Sequence, residues 1–174
     1  NNEFINLDTN IPINNIKDKI CSANVYINSF TIKEALATGA DIVLCGRVSD
    51  PGLALGPMLY EFNWKKNDYN KLASGTLAGH IIECGAQCTG GNFTNWQNVP
   101  NMANIGYPII EMHSDGNFII TKHEGTGGMV TKETVVVLDR VAAVVTVSEL
   151  KPIGAPLGKL PSKFAILTFL LIGV

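Results

Sequence analysis

Positive charge is scarce in this sequence. Its 174 residues hold 13 lysines and arginines against 15 acidic residues, for a net charge of −2. Such a chain projects no broad positive field, so neither nucleic acid nor an anionic membrane is expected as a partner. Long apolar runs are also missing. Residues 164–174 form the most apolar stretch, about half of the roughly 20 residues that a bilayer-crossing helix takes, and read as a strand or a buried helix end. No charged leader with an apolar follow-on opens the chain. It begins at Asn1 with a polar stretch to residue 15, and is read as an internal piece of a longer protein. Internal repeats, the P-loop and the dinucleotide-binding fingerprint are absent as well, so no motif requires a cofactor. The four cysteines are Cys21, Cys45, Cys84 and Cys88. Without a secretory leader, and with Cys45 in an apolar strand, reduced thiols are expected, in the cytoplasm or an organelle such as the mitochondrion.

What is present has the size and balance of one globular domain with a real core. Residues 22–27 read as a strand. Residues 30–38 read as a helix, with Thr31 as N-cap, Glu34 at capping-box spacing and Gly39 as its stop. Residues 41–48 are then a continuous apolar strand, the pattern of a parallel strand buried on both faces. The expected fold class is therefore α/β, a βαβ-based and mostly parallel sheet with flanking helices. A second helix is expected from Asp50, as N-cap, and Pro51 to about residue 62. A third, over residues 72–87, is small and apolar. Its Gly75, Gly79 and Gly85 each cost about 1 kcal/mol of helix propensity, which predicts close packing on a neighbouring backbone or ligand. Residues 107–112 and 116–122 read as a β-hairpin around Asp115-Gly116, and a last helix starts near Thr131. Trp64 and Trp96 read as core or interface residues.

Three places carry chemistry. On a helix, Thr76, His80, Cys84 and Cys88 share one stripe, with Glu83 three residues from His80. A carboxylate beside an imidazole makes an acid/base pair, and the same histidine would activate a thiol. His80, Glu83 and Cys84 are the candidate catalytic residues. His80, Cys84 and Cys88 match no standard zinc spacing, so no metal site is expected. Arg47 and Asp50 lie where the apolar strand enters the next helix, the strand end at which open α/β sheets bind ligands. There Arg47 would hold a carboxylate or phosphate, or else pin the turn against Asp50. Gly125, Thr126, Gly127 and Gly128 form a glycine-rich loop that would either cradle an anion with its N–H groups or serve as a plain connection.

These motifs are also those of a family. Ser22-Ala23-Asn24-Val25-Tyr26, Gly46-Arg47-Val48-Ser49-Asp50, Phe62-Asn63-Trp64, Gly79-His80-Ile81-Ile82-Glu83-Cys84-Gly85, Thr89-Gly90-Gly91-Asn92-Phe93-Thr94, Asn104-Ile105-Gly106-Tyr107-Pro108 and Gly125-Thr126-Gly127-Gly128 occur in this order. Over about residues 22–134 the chain resembles the acyclic terpene utilisation family. The resemblance implies a role beside biotin-dependent acyl-CoA carboxylases, in breakdown of acyclic terpenes or branched acyl-CoAs. It also implies a further α/β region upstream, so residues 1–134 are expected to belong to a larger domain. Residues 135–174 do not follow the family pattern, and are read as a divergent segment of the same unit or as translated intron or frameshifted sequence.

The resulting expectation is an enzyme or enzyme component acting on a carboxylate or acyl-CoA, with hydratase, lyase or hydrolase chemistry. His80 and Glu83 would move protons and Arg47 would hold the anionic group. The competing expectation is a non-catalytic partner or scaffold subunit of an acyl-CoA carboxylase. A small-molecule substrate and self-association of the chain complete the expected partners.

Overall fold

The computed structural model describes residues 4–138. Two 3-10 turns, Ile13–Asn15 and Lys17–Lys19, and a stretch without regular structure lead to helix α1, Ser29–Ala37, whose first turn is capped by Asn28. The Asn28 side chain accepts from the N–H groups of Phe30 at 3.0 Å and Thr31 at 3.3 Å. The cap thus lies three residues before the expected Thr31, because the chain is already extended at Asn28, and asparagine is among the strongest cap residues. Gly39, at φ +82°, ends the turn after the helix.

The chain then runs back parallel to its earlier course. Ile27 and Val48 form a parallel bridge, with Ile27 N–H donating to Arg47 O at 2.9 Å and Ser49 N–H to Ile27 O at 3.1 Å. The chain thus passes from one side of α1 to the other and pairs at a single point, but neither the expected strands at 22–27 and 41–48 nor the mostly parallel sheet forms. Among the described residues the parallel pairings are isolated bridges, and the sheet is a two-stranded antiparallel one. The physical reason is visible in the apolar pattern itself. Val25 is 82% exposed, Ile42 87% and Leu44 91%. A parallel strand needs neighbours on its edges and a layer on each face, and no described element supplies them here.

Helix α2, Gly52–Glu61, follows a turn at Asp50-Pro51. Asp50 does not cap it. Pro51 occupies the cap position, its carbonyl accepts from Ala54 at 3.1 Å and Leu55 at 2.9 Å, and no side chain caps the helix. Helix α3, Tyr69–Glu83, starts earlier and ends earlier than expected. Gly85 adopts φ +60°, a left-handed conformation that breaks the helical path, and a 3-10 turn covers Gly85–Gln87. Cys88 is thus off the helix and fully buried, outside the stripe that a longer helix would have given it.

The hairpin is as the sequence predicts. Strands β1, Pro108–Met112, and β2, Phe118–Lys122, pair antiparallel, from Pro108 opposite Lys122 to Met112 opposite Phe118. Helix α4, Lys132–Leu138, begins with a reciprocal cap. Thr134 N–H donates to Thr131 Oγ1 at 3.2 Å, and Thr131 N–H to Thr134 Oγ1 at 2.9 Å.

Helix α3 sits at the centre, and this explains its composition. Ala78 faces a core of Ala54, Leu55, Met58, Leu59 and Trp64. Leu77 and Ile81 face a second core with Cys88, Ile120 and Val135. A helix packed on two sides has no room for a wide polar face. Trp64 is 1% exposed and donates its indole N–H to Ser114 O at 2.9 Å, whereas Trp96 is exposed. Helix α4 carries Val135 into the core across position 134. Residues 139–174, including the apolar 164–174 stretch, lie outside the described residues. No helix among the described residues is long and apolar enough to cross a membrane.

Candidate functional site

The site is assembled by a close approach at Gly79. A Cβ there would lie 2.7 Å from Pro51 O and 2.9 Å from Pro51 Cβ. Only a residue without a side chain lets the Asp50–Pro51 turn rest on α3 at this level. Gly75 does the same a turn earlier, against Leu55 and Trp64. The predicted packing role of these two glycines is thus met by protein.

Beside that contact stand His80, Glu83 and Cys84. Their spacing places them on one side of the last turn of α3, and one ligand-type atom from each lies within 4.8 Å of the others. His80 and Cys84 are half-buried and Glu83 is exposed. The Cys84 thiol donates to Glu83 Oε2 at 3.3 Å. Burial, first, then the Glu83 hydrogen bond and the charges of Glu83 and Asp50 push this thiol up to about 11. The Cys84 thiol is thus held by the Glu83 carboxylate and raised above the ordinary cysteine range. Cys88 is pushed up to about 12, chiefly by burial. All four cysteines are free thiols.

The turn that carries Asp50 packs on Gly79 through Pro51, and the Asp50 charge adds the smallest of the influences that raise Cys84. Two motifs 30 residues apart in the sequence are thereby brought together. Arg47 is exposed and points elsewhere: its Nη1 donates to the Tyr26 hydroxyl at 2.9 Å, and the guanidinium lies 5.6 Å from the centre of the Tyr26 ring. The guanidinium–Tyr26 contact takes the place of the expected pairing with Asp50.

The glycine-rich loop is spoken for internally. Gly127 N–H donates to Asn104 O at 2.7 Å, Gly128 N–H to Pro100 O at 2.7 Å and Met129 N–H to Thr89 O at 2.9 Å. Thr126 Oγ1 donates to His123 O at 2.6 Å. Gly125 has φ +75° with open space around it. The loop packs on Thr89 and residues 100–106, and among the described residues no hydrogen bond joins it to His80, Glu83 or Cys84.

One residue here escapes a reading of the sequence. Lys122 is 8% exposed, and its ammonium donates to Thr126 O at 2.8 Å and Thr126 Oγ1 at 3.1 Å. A lysine ending a strand ordinarily points to solvent. Its burial follows from the register that places it opposite Pro108, which no local pattern reveals. Thr89, fully buried and donating from Oγ1 to Ala86 O and Gly106 O, is equally hidden in a polar-looking stretch.

Mixed helices and strands around a central glycine-bearing helix, with a His–Glu–Cys cluster at its end, define the class as an α/β protein with a polar site on a helix C-terminus. The chain belongs to the acyclic terpene utilisation family: residues 1–137 match the family model described as "Acyclic terpene utilisation family protein AtuA". The match extends beyond residues 22–134 at both ends and takes in nearly all of α4. No curated protein and no solved structure matches the chain.

Proposed function

We propose that this chain is an enzyme, or the catalytic component of one, acting by proton transfer on a carboxylate or acyl-CoA in the breakdown of acyclic terpenes and branched acyl chains. The observation that carries this reading is the convergence of His80, Glu83, Cys84 and the Asp50 turn at the Gly79–Pro51 contact. A half-buried imidazole beside a carboxylate is suited to take or give a proton. The Cys84 thiol donates to Glu83 and is raised above the ordinary cysteine range, so this reading gives the proton-moving role to His80 and Glu83. The test is to incubate the full-length protein with geranyl-CoA, methylcrotonyl-CoA and related acyl-CoAs, without carboxylase, and follow products by mass spectrometry. Turnover that falls at least tenfold in His80→Ala supports the proposal, and no turnover across the panel sinks it.

A second reading, a scaffold subunit of a biotin-dependent acyl-CoA carboxylase, is favoured by one observation. Val25, Ile42 and Leu44 present an apolar surface that no described element covers, and exposed apolar patches are what partners bury. Stable copurification with a carboxylase, together with no turnover, would select it.

A further inference from the structure

We propose that His80, Glu83 and Cys84 together bind a divalent transition-metal ion of the zinc type. The inference rests on the reading of this cluster as the working centre, and it reassigns the proton-moving group from the His80 imidazole to a metal-bound water.

An imidazole, a carboxylate and a thiol project from one helical turn at positions i, i+3 and i+4, with their donor atoms within 4.8 Å of one another. Ligands bound to a tetrahedral zinc at about 2.0–2.3 Å stand roughly 3.5 Å apart. Cys84 Sγ and Glu83 Oε2 are already at 3.3 Å. The remaining donor atoms, all within 4.8 Å of one another, would draw in by roughly an ångström to reach that spacing.

Electrostatics agree. The charged groups acting on Cys84 are Glu83 and Asp50, both negative. The cluster also stands at the C-terminal end of a 15-residue helix, where the unpaired carbonyls carry partial negative charge and favour a cation. A bound ion would offset this concentration of negative charge.

Donor chemistry then selects the ion. One nitrogen, one sulfur and one carboxylate oxygen suit zinc and its neighbours, whereas magnesium and calcium take oxygen shells. Three protein ligands leave a coordination position open for water, the arrangement of catalytic rather than structural zinc. On binding, the Cys84 proton passes to solvent and the thiolate becomes the ligand. Cys88, expected beside Cys84, is buried in the second core and does not contribute.

The experiment is cobalt(II) titration of the full-length protein, followed by zinc competition. The expected result is a single ion per chain, with a thiolate-to-cobalt charge-transfer band and tetrahedral visible bands, displaced by zinc. Cys84→Ser is expected to lose the charge-transfer band, and His80→Ala and Glu83→Gln to weaken binding at least tenfold, with unchanged circular dichroism. Cys88→Ala, if it folds, keeps the band. No band, or a band that survives Cys84→Ser, overturns the proposal. Turnover by a metal-free protein that still depends on His80 would overturn the metal and leave the enzyme reading standing. Metal binding without turnover would do the reverse.

Discussion

The carbonyl of Pro51 rests where a side chain on residue 79 would have to be, 2.7 Å from the position of a Cβ on Gly79. This contact joins α3 to the turn before α2 and sets Asp50 beside the His80–Glu83–Cys84 cluster. Replacing Gly79 with alanine would gain about 1 kcal/mol of helix propensity. The clash is with backbone, which cannot rotate away, and overpacking of this kind costs about 1–3 kcal/mol. Gly79→Ala is therefore expected to destabilise the protein on balance, read as a lowered urea midpoint. A midpoint at or above wild type would contradict the packing argument.

The two raised thiols make an alkaline prediction. Cys88, at about 12, and Cys84, at about 11, keep protons in the folded state that an unfolded cysteine releases from about pH 9 upward. The stability they contribute is fully present below about pH 9 and is lost as pH rises toward 11–12. Denaturant midpoints measured from pH 7 to 11 are expected to hold and then fall, with the fall blunted in Cys88→Ala. At pH 7 the exposed Cys21 is expected to react with iodoacetamide well before Cys84 or Cys88. Fast alkylation of Cys84 in the metal-free protein would show that its thiol is not protonated as described.

Trp64 ties the first core to the hairpin, through its buried ring and its bond to Ser114 O. Trp64→Ala is expected to cost about 3–5 kcal/mol, enough to unfold a marginal domain. Trp64→Phe keeps most of the ring volume and is expected to cost less. Trp96→Ala, at an exposed position, should stay within about 0.5 kcal/mol of wild type. Thermal unfolding of the three variants tests the ranking.

Exposed Ile42 and Leu44 give the reverse pattern. Ile42→Thr with Leu44→Thr removes apolar surface already in water, so the stability of the isolated chain should change by less than about 0.5 kcal/mol. Association should change instead: sedimentation velocity is expected to show less self-association, or pull-down less bound carboxylase. A large loss of stability with no change in association would mean that the surface is covered from within the chain.

Lys122 anchors the glycine-rich loop through Thr126. Lys122→Met keeps the stem and removes the ammonium, leaving Thr126 O without that donor. A loss of about 1–3 kcal/mol is expected, together with faster amide exchange at residues 125–128. Unchanged exchange there would show that the loop holds its shape without Lys122.

Local patterns determine much of this protein. The hairpin follows from alternating apolar residues around Asp115-Gly116. The family follows from ordered motifs, and the placement of His80, Glu83 and Cys84 on one face follows from helical spacing alone. Where the sequence misleads, the cause is tertiary. The run Asp41-Ile42-Val43-Leu44-Cys45 has the pattern of a doubly buried parallel strand, but a strand pairs only if neighbours are present, and here one bridge to Ile27 forms, at Val48. The length of α3 turns on the left-handed Gly85, which places Cys88 in the core and out of the cluster. The Asp50–Pro51 turn comes to rest on Gly79, and Lys122 becomes buried, through contacts between segments distant in sequence. Residue types and spacing decide which groups share a face. Which groups meet across the chain is decided by packing, through the space left at Gly79 and the register of β2.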